Sequence, residues 1–100
     1  MRVFEKVAET LIGLGVRQVF GVVGSGNYDV TKALIAGGAT YVAARHEGGA
    51  ASMADAFGRV GSSVPVISLH QGCGLTNAIT GIAEAAKSGT PMLILAAEVA

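Results

Sequence analysis

The sequence predicts an α/β protein built on a mostly parallel sheet. Three observations predict it: strand-like apolar runs recur about every 22 to 26 residues, a segment of helical period separates each pair, and the last two runs are apolar almost throughout. That order produces parallel βαβ crossovers, and strands without alternation suit a sheet covered on both faces. With 100 residues and 51% hydrophobic content, the chain is one small domain with enough apolar material for a core.

Taken in order, Val3, Val7, Leu11 and Leu14 follow one helical face, and Gly13 and Gly15 stop that helix. "VRQVFGVV" is then a short strand ending in glycines. A second helix fits "DVTKALIA", with Asp29 and Thr31 in its first turn and Gly37-Gly38 at its end, and "ATYVAA" is the second strand. "EGGAASMADAFGRV" is helical in period despite its glycines, with Ala50, Met53, Ala54 and Phe57 on one side. Gly61-Ser62-Ser63 is a turn, "VPVISL" a third strand, "LTNAITGIAEAAK" a helix, and "PMLILAA" a fourth strand. The sequence stops just beyond that strand, so the fold is expected to be truncated at its C-terminus.

Composition removes several function classes. Seven basic and seven acidic residues balance to zero, without the basic clustering that nucleic acid or an anionic membrane demands. Arg2, Glu5, Lys6 and Glu9 interrupt the N-terminus where a signal peptide needs an apolar run, and the single cysteine, Cys73, cannot form an internal disulfide. A cytoplasmic location is the expectation. Cys73 has no metal-spaced His or Cys partners, so no metal site is expected in this chain.

In open parallel sheets ligands gather beyond the carboxyl ends of the strands, and each unusual cluster falls there: "GVVGSGN" (21–27), "RHEGG" (45–49), "HQGCGLTN" (70–77) and "AEVA" (97–100). In the first, Gly21, Gly24 and Gly26 have the wrong order for the dinucleotide fingerprint, and Asn27 replaces the lysine of a phosphate loop. A turn that needs glycine dihedrals is the plain alternative. Glu47, at a strand end and a helix start, is favoured there by the helix dipole alone, by about 0.3 to 1 kcal/mol. The bulk-free Gly48-Gly49-Ala50-Ala51 behind it also lets a flat group approach, and such a carboxylate suits proton exchange with a nitrogen heterocycle. Arg45 is expected to be an ion-pair partner and His46 a packed or hydrogen-bonded ring. Asn77, in a helical first turn, is a capping residue or a contact, and Cys73 is packing or a reactive thiol.

In sequence order these clusters resemble the N-terminal, pyrimidine-binding domain of thiamine-diphosphate-dependent enzymes, the acetolactate synthase and 2-oxoacid decarboxylase group. "GVRQVFGVVG" resembles that family's Gly-Val-x-x-Val-Phe-Gly-x-Pro-Gly, and "RHEGGAASMADAFGR" its Arg-His-Glu-x-x-Ala-x-x-Met-Ala-Asp-Gly-Tyr-Ala-Arg. "GCGLTN" resembles its Gly-Pro-Gly-x-x-Asn turn, and "SGTPMLILAAEV" its x-x-Pro-Leu-x-x-Ile-x-Gly-x strand.

The resemblance implies a three-layer thiamine-diphosphate-binding fold, with residues 1–100 as the N-terminal portion of the pyrimidine domain. It makes Glu47 the catalytic carboxylate that hydrogen-bonds N1′ of the aminopyrimidine and so promotes loss of the thiazolium C2 proton. It places Val23, Gly24, Cys73 and Asn77 at the cofactor, and His70 or Gln71 toward a small 2-oxo acid substrate. It further implies Mg²⁺ and diphosphate held by a Gly-Asp-Gly…Asn motif that this chain lacks, on a separate domain, in a homodimer or homotetramer. Val23 and Cys73 stand where the family has prolines, and Gly48 where many synthases have glutamine. The readings left open beside a synthase are a decarboxylase or oxidase of the same superfamily and a non-catalytic α/β module.

Overall fold

The structure, a computed structural model, describes residues 1–98. Of the fourth cluster, Val99 and Ala100 therefore lie outside the described residues. Four helices alternate with four strands: α1 (Val3–Gly13), β1 (Gln18–Gly21), α2 (Tyr28–Ala36), β2 (Thr40–Ala43), α3 (Glu47–Val60), β3 (Val66–Leu69), α4 (Cys73–Lys87) and β4 (Leu93–Ala96). The expected elements are all present. The strands are shorter than the apolar runs that announced them, and α4 starts two residues before "LTN".

All pairings are parallel and the strand order is β2-β1-β3-β4. Alternate side chains of the central strands feed two cores, which makes the architecture three layers. Val19 and Val66 turn toward α1 and α2, where they join Ala8, Val16, Leu34 and Ala39. Phe20, Ile67 and Leu69 turn the other way, against Ala50, Ala51 and Ala54 of α3 and Ala78 of α4. The expected inner face of α3 holds, since Met53 and Phe57 also pack on this core. Phe57 meets Phe20 edge-on at 5.9 Å between ring centroids, a geometry that aromatic quadrupoles favour.

Small residues set how closely α3 and α4 approach. Gly74, Ala78, Gly81 and Ala85 line the buried face of α4, and a Cβ on Gly81 would lie 2.5 Å from Ala51 Cβ. The crossing therefore has no room for a methyl group at Gly81. That proximity is what brings side chains at the two helix starts within reach of one another. No helix among the described residues is long and apolar enough to cross a membrane.

Candidate active site

With strand order β2-β1-β3-β4, the chain reverses direction across the sheet between β1 and β3. The crevice at such a switch point, beyond the strands' carboxyl ends, is where open α/β sheets place ligands. Here the loop after β1 and the turn after β3 fill it against each other. Gly26 N–H donates to His70 Nδ1 at 3.0 Å, and a Cβ on Gly24 would lie 2.6 Å from His70 Cγ. A Cβ on Gly26 would overlap Gln71 Oε1.

These contacts correct the expectation about the first glycine cluster. Gly21, Gly24 and Gly26 are not in the left-handed region; among the described residues positive φ belongs to Gly15, Gly38, Gly72 and Gly89. The cluster is glycine because other atoms come close. At Gly21 the obstacle is the Ser68 carbonyl of the neighbouring strand, and at Gly24 and Gly26 it is the His70-Gln71 pair.

Asn27, which stands where a phosphate loop would have lysine, organises this loop from inside. Its Oδ1 accepts from Gly24 N–H at 2.7 Å, and its Nδ2 donates to Val22 carbonyl and to Ser68 Oγ, each at 3.2 Å. Ser68 Oγ also lies 2.8 Å from Thr31 Oγ1. Asn27, Thr31 and Ser68 are all buried, so each finds the partners that burial demands. The signal for this triad was present in the sequence as one hydroxyl, Ser68, inside an otherwise apolar strand.

The second cluster behaves differently. Ala44 N–H ends β2 by donating to Gly21 carbonyl at 2.8 Å, and the chain bends through 45–46 into α3. His46 is the N-cap: its backbone is extended and its Nδ1 accepts from Gly48 N–H at 2.9 Å. A Cβ on Gly48 would lie 3.1 Å from that same nitrogen. His46 is thus hydrogen-bonded, as expected. Arg45 is exposed and forms no ion pair among the described residues, so the expected structural pairing is not found.

Glu47 is the first residue of α3 and is half-buried. Asn77 Nδ2 donates to its Oε1 at 3.2 Å. Because α4 begins at Cys73, Asn77 lies one turn inside the helix instead of at its cap, and its amide crosses to α3. Glu47 Oε2 has no hydrogen-bond partner among the described residues, and the bare Gly74 lies beside it: a Cβ there would be 3.8 Å away. One carboxylate oxygen is thereby oriented and the other left open to an incoming donor.

The remaining expected site residues are distributed around this pair. Cys73 is exposed at the first position of α4, preceded by Gly72 at φ 66°; it is not packed in a core. Gln71 Oε1 is buried without a partner. Val23 is exposed and lines a cavity of about 260 Å³ with Thr31, Ile35 and Tyr41 on the α2 side of the sheet, apart from the α3 side where Glu47 begins. Burial raises the Tyr41 phenol above its ordinary range. Among the described residues no three His, Cys, Asp or Glu side chains converge on a possible metal position.

Residues 1–100 match the family described as thiamine pyrophosphate enzyme, N-terminal TPP binding domain. The acetolactate synthase isozyme 3 large subunit of Escherichia coli (strain K12) is 43% identical over 97 residues, which are 96% of this chain and 17% of that protein. A sulfoacetaldehyde acetyltransferase of Castellaniella defragrans is 36% identical over 94 residues, 94% of this chain and 16% of that protein. The X-ray structure of a proposed thiamin diphosphate-dependent enzyme isolated from Mycobacterium smegmatis superposes with a TM-score of 0.84 at 28% identity, covering 97% of this chain and 19% of that one. The chain thus spans 16 to 17% of the length of these two curated relatives.

Proposed function

The chain belongs to the thiamine pyrophosphate enzymes, as their N-terminal TPP binding domain, and from that premise we propose that it supplies the pyrimidine side of an acetolactate synthase-like active site working on a small 2-oxo acid. The observation that carries this reading is the Glu47 carboxylate, with Oε1 held by Asn77 and Oε2 open beside Gly74. The residues fit the aminopyrimidine: a flat ring needs a carboxylate oxygen without a partner and a wall without side chains, and both are present. The cofactor's thiazolium ring, when bound, stabilises the negative charge left on a 2-oxo acid that loses carbon dioxide.

The protein's part is binding, orientation and proton transfer. Glu47 Oε2 would hold a proton shared with ring N1′, and Asn77 keeps the carboxylate from rotating away. Gly24, and Cys73 with Asn77 at the start of α4, would line the cofactor; Val23, whose side chain lies on the α2 side of the sheet, would meet it only through the backbone of the 22–27 loop. His70 or Gln71 would face the substrate, though not through the Gln71 carbonyl oxygen, which is buried against Gly26. Mg²⁺ and the diphosphate are assigned, on the family resemblance, to a separate domain, in a homodimer or homotetramer. A cytoplasmic setting belongs to the same reading.

Glu47→Gln in the full chain tests it, with thiamine diphosphate and Mg²⁺ supplied. General acid–base groups contribute typically 10²- to 10⁴-fold. The variant should bind the cofactor yet exchange its C2 proton for deuterium slower by roughly that factor, with carbon dioxide release from a panel of 2-oxo acids falling in parallel. Equal exchange in both proteins would remove Glu47 from the mechanism.

A further inference from the structure

We infer that His70 is a positioning residue, the strut that seats the 22–27 loop in the switch-point crevice and so sets how that loop meets the cofactor. The inference deepens the proposed function and rests on it for the identity of what the loop binds.

Three contacts converge on the His70-Gln71 pair from the loop. Gly26 N–H donates to Nδ1 at 3.0 Å, Gly24 lies against the ring at a distance no Cβ would tolerate, and Gln71 Oε1 lies against the bare Gly26. From below, Gly74 approaches His70 Cβ, where its own Cβ would lie 3.3 Å away. Gly24 and Gly26 therefore flank the ring and Gly74 backs its Cβ, and none of the three has the positive φ that would otherwise explain it. Since Nδ1 accepts, the neutral ring carries its proton on Nε2. The bond ties the loop after β1 to the turn after β3. That turn leads into the helix whose Asn77 holds Glu47.

Asparagine separates this role from direct substrate contact, because its Oδ1 can take the place of Nδ1 as acceptor. In the full chain without cofactor, hydrogen–deuterium exchange of the 22–27 peptide should accelerate roughly three- to tenfold in His70→Ala, the factor that one net hydrogen bond confers. His70→Asn should stay within about twofold of wild type. Thiamine diphosphate affinity should follow the same order. Gly24→Ala should loosen the loop in the wild-type background and loosen it less in His70→Ala, where the ring is gone and the nearest remaining obstacle is the residue-70 Cβ at 3.0 Å. Unchanged 22–27 exchange in a folded His70→Ala protein would overturn the inference, as would equal losses of affinity in the Ala and Asn variants. Exchange that depends on His70 in a protein that binds no thiamine diphosphate would leave the strut standing and overturn the cofactor reading instead.

Discussion

Ser68 is a hydroxyl in the middle of an apolar strand, and the whole 22–27 loop leans on it. Its oxygen meets Asn27 Nδ2 and Thr31 Oγ1 in a site closed to water. Removing one member of a buried polar set leaves the others unpaired, at about 1 to 3 kcal/mol. Ser68→Ala should therefore lower stability by about that amount, measured by denaturant unfolding, and should expose the loop amides to faster exchange. A loss below about 0.5 kcal/mol would mean that Thr31 and Asn27 find new partners. At this scale the sequence was legible only in part. Glu47 stood out because a carboxylate at a strand-to-helix junction followed by Gly48-Gly49-Ala50-Ala51 is unusual, but the role proposed for it comes from the family resemblance. The reason for Gly24 and Gly26 was not legible, because it lies across the sheet at His70, 44 residues from Gly26, and no local pattern encodes such a contact.

The elements were far more legible, since hydrophobic period is local and survives without tertiary knowledge. Helix α4 shows where that ended: Gly72, Cys73 and Gly74 read as a turn, whereas Cys73 and Gly74 already belong to the helix. Gly74 is buried there, against His70 and beside Glu47. The far ends of α3 and α4 are joined by charge. Arg59 donates to both oxygens of Asp55 at 3.0 and 2.8 Å, and to Glu84 at 3.0 Å. The guanidinium holds the Asp55 carboxyl below its usual range, and the Ser88 hydroxyl, with Arg59, does the same for Glu84. A carboxyl lowered in the folded state stabilises it above its unfolded value, near pH 4. That contribution is lost as pH falls through the lower folded value. Arg59→Met should accordingly lower Tm at pH 6, with the deficit shrinking toward zero as the pH is taken below 3. Added salt should shrink it too, since the arginine side chain is 45% exposed. A deficit independent of pH and salt would assign the effect to packing of the arginine stem.

For the molecule as a whole, the layers and strand succession followed from the spacing of elements, while the strand order did not, because either side of β1 could in principle have received β3. The order matters for function: it puts the loops after β1 and β3 side by side and sets Glu47 after the outer strand β2, beside α4. Glu47 is half-buried, Asn77 and Cys73 are exposed, and no metal-ligand trio lies among the described residues. Such a surface can orient one ring edge but cannot enclose a charged cofactor, since drug-sized ligands typically have about 70 to 90% of their surface covered. If the missing wall and the cation ligands come from a second subunit, as proposed, activity belongs to the assembly. Diluting the full enzyme until its subunits separate, followed by mass photometry, should lower carbon dioxide release per subunit and C2 proton exchange together, along the same curve as dissociation. Excess thiamine diphosphate and Mg²⁺ should shift that curve to lower protein concentration, because a ligand held by two subunits favours their association. Separated subunits with undiminished turnover would place the rest of the site within one chain and end the shared-site proposal, while leaving the role of Glu47 intact.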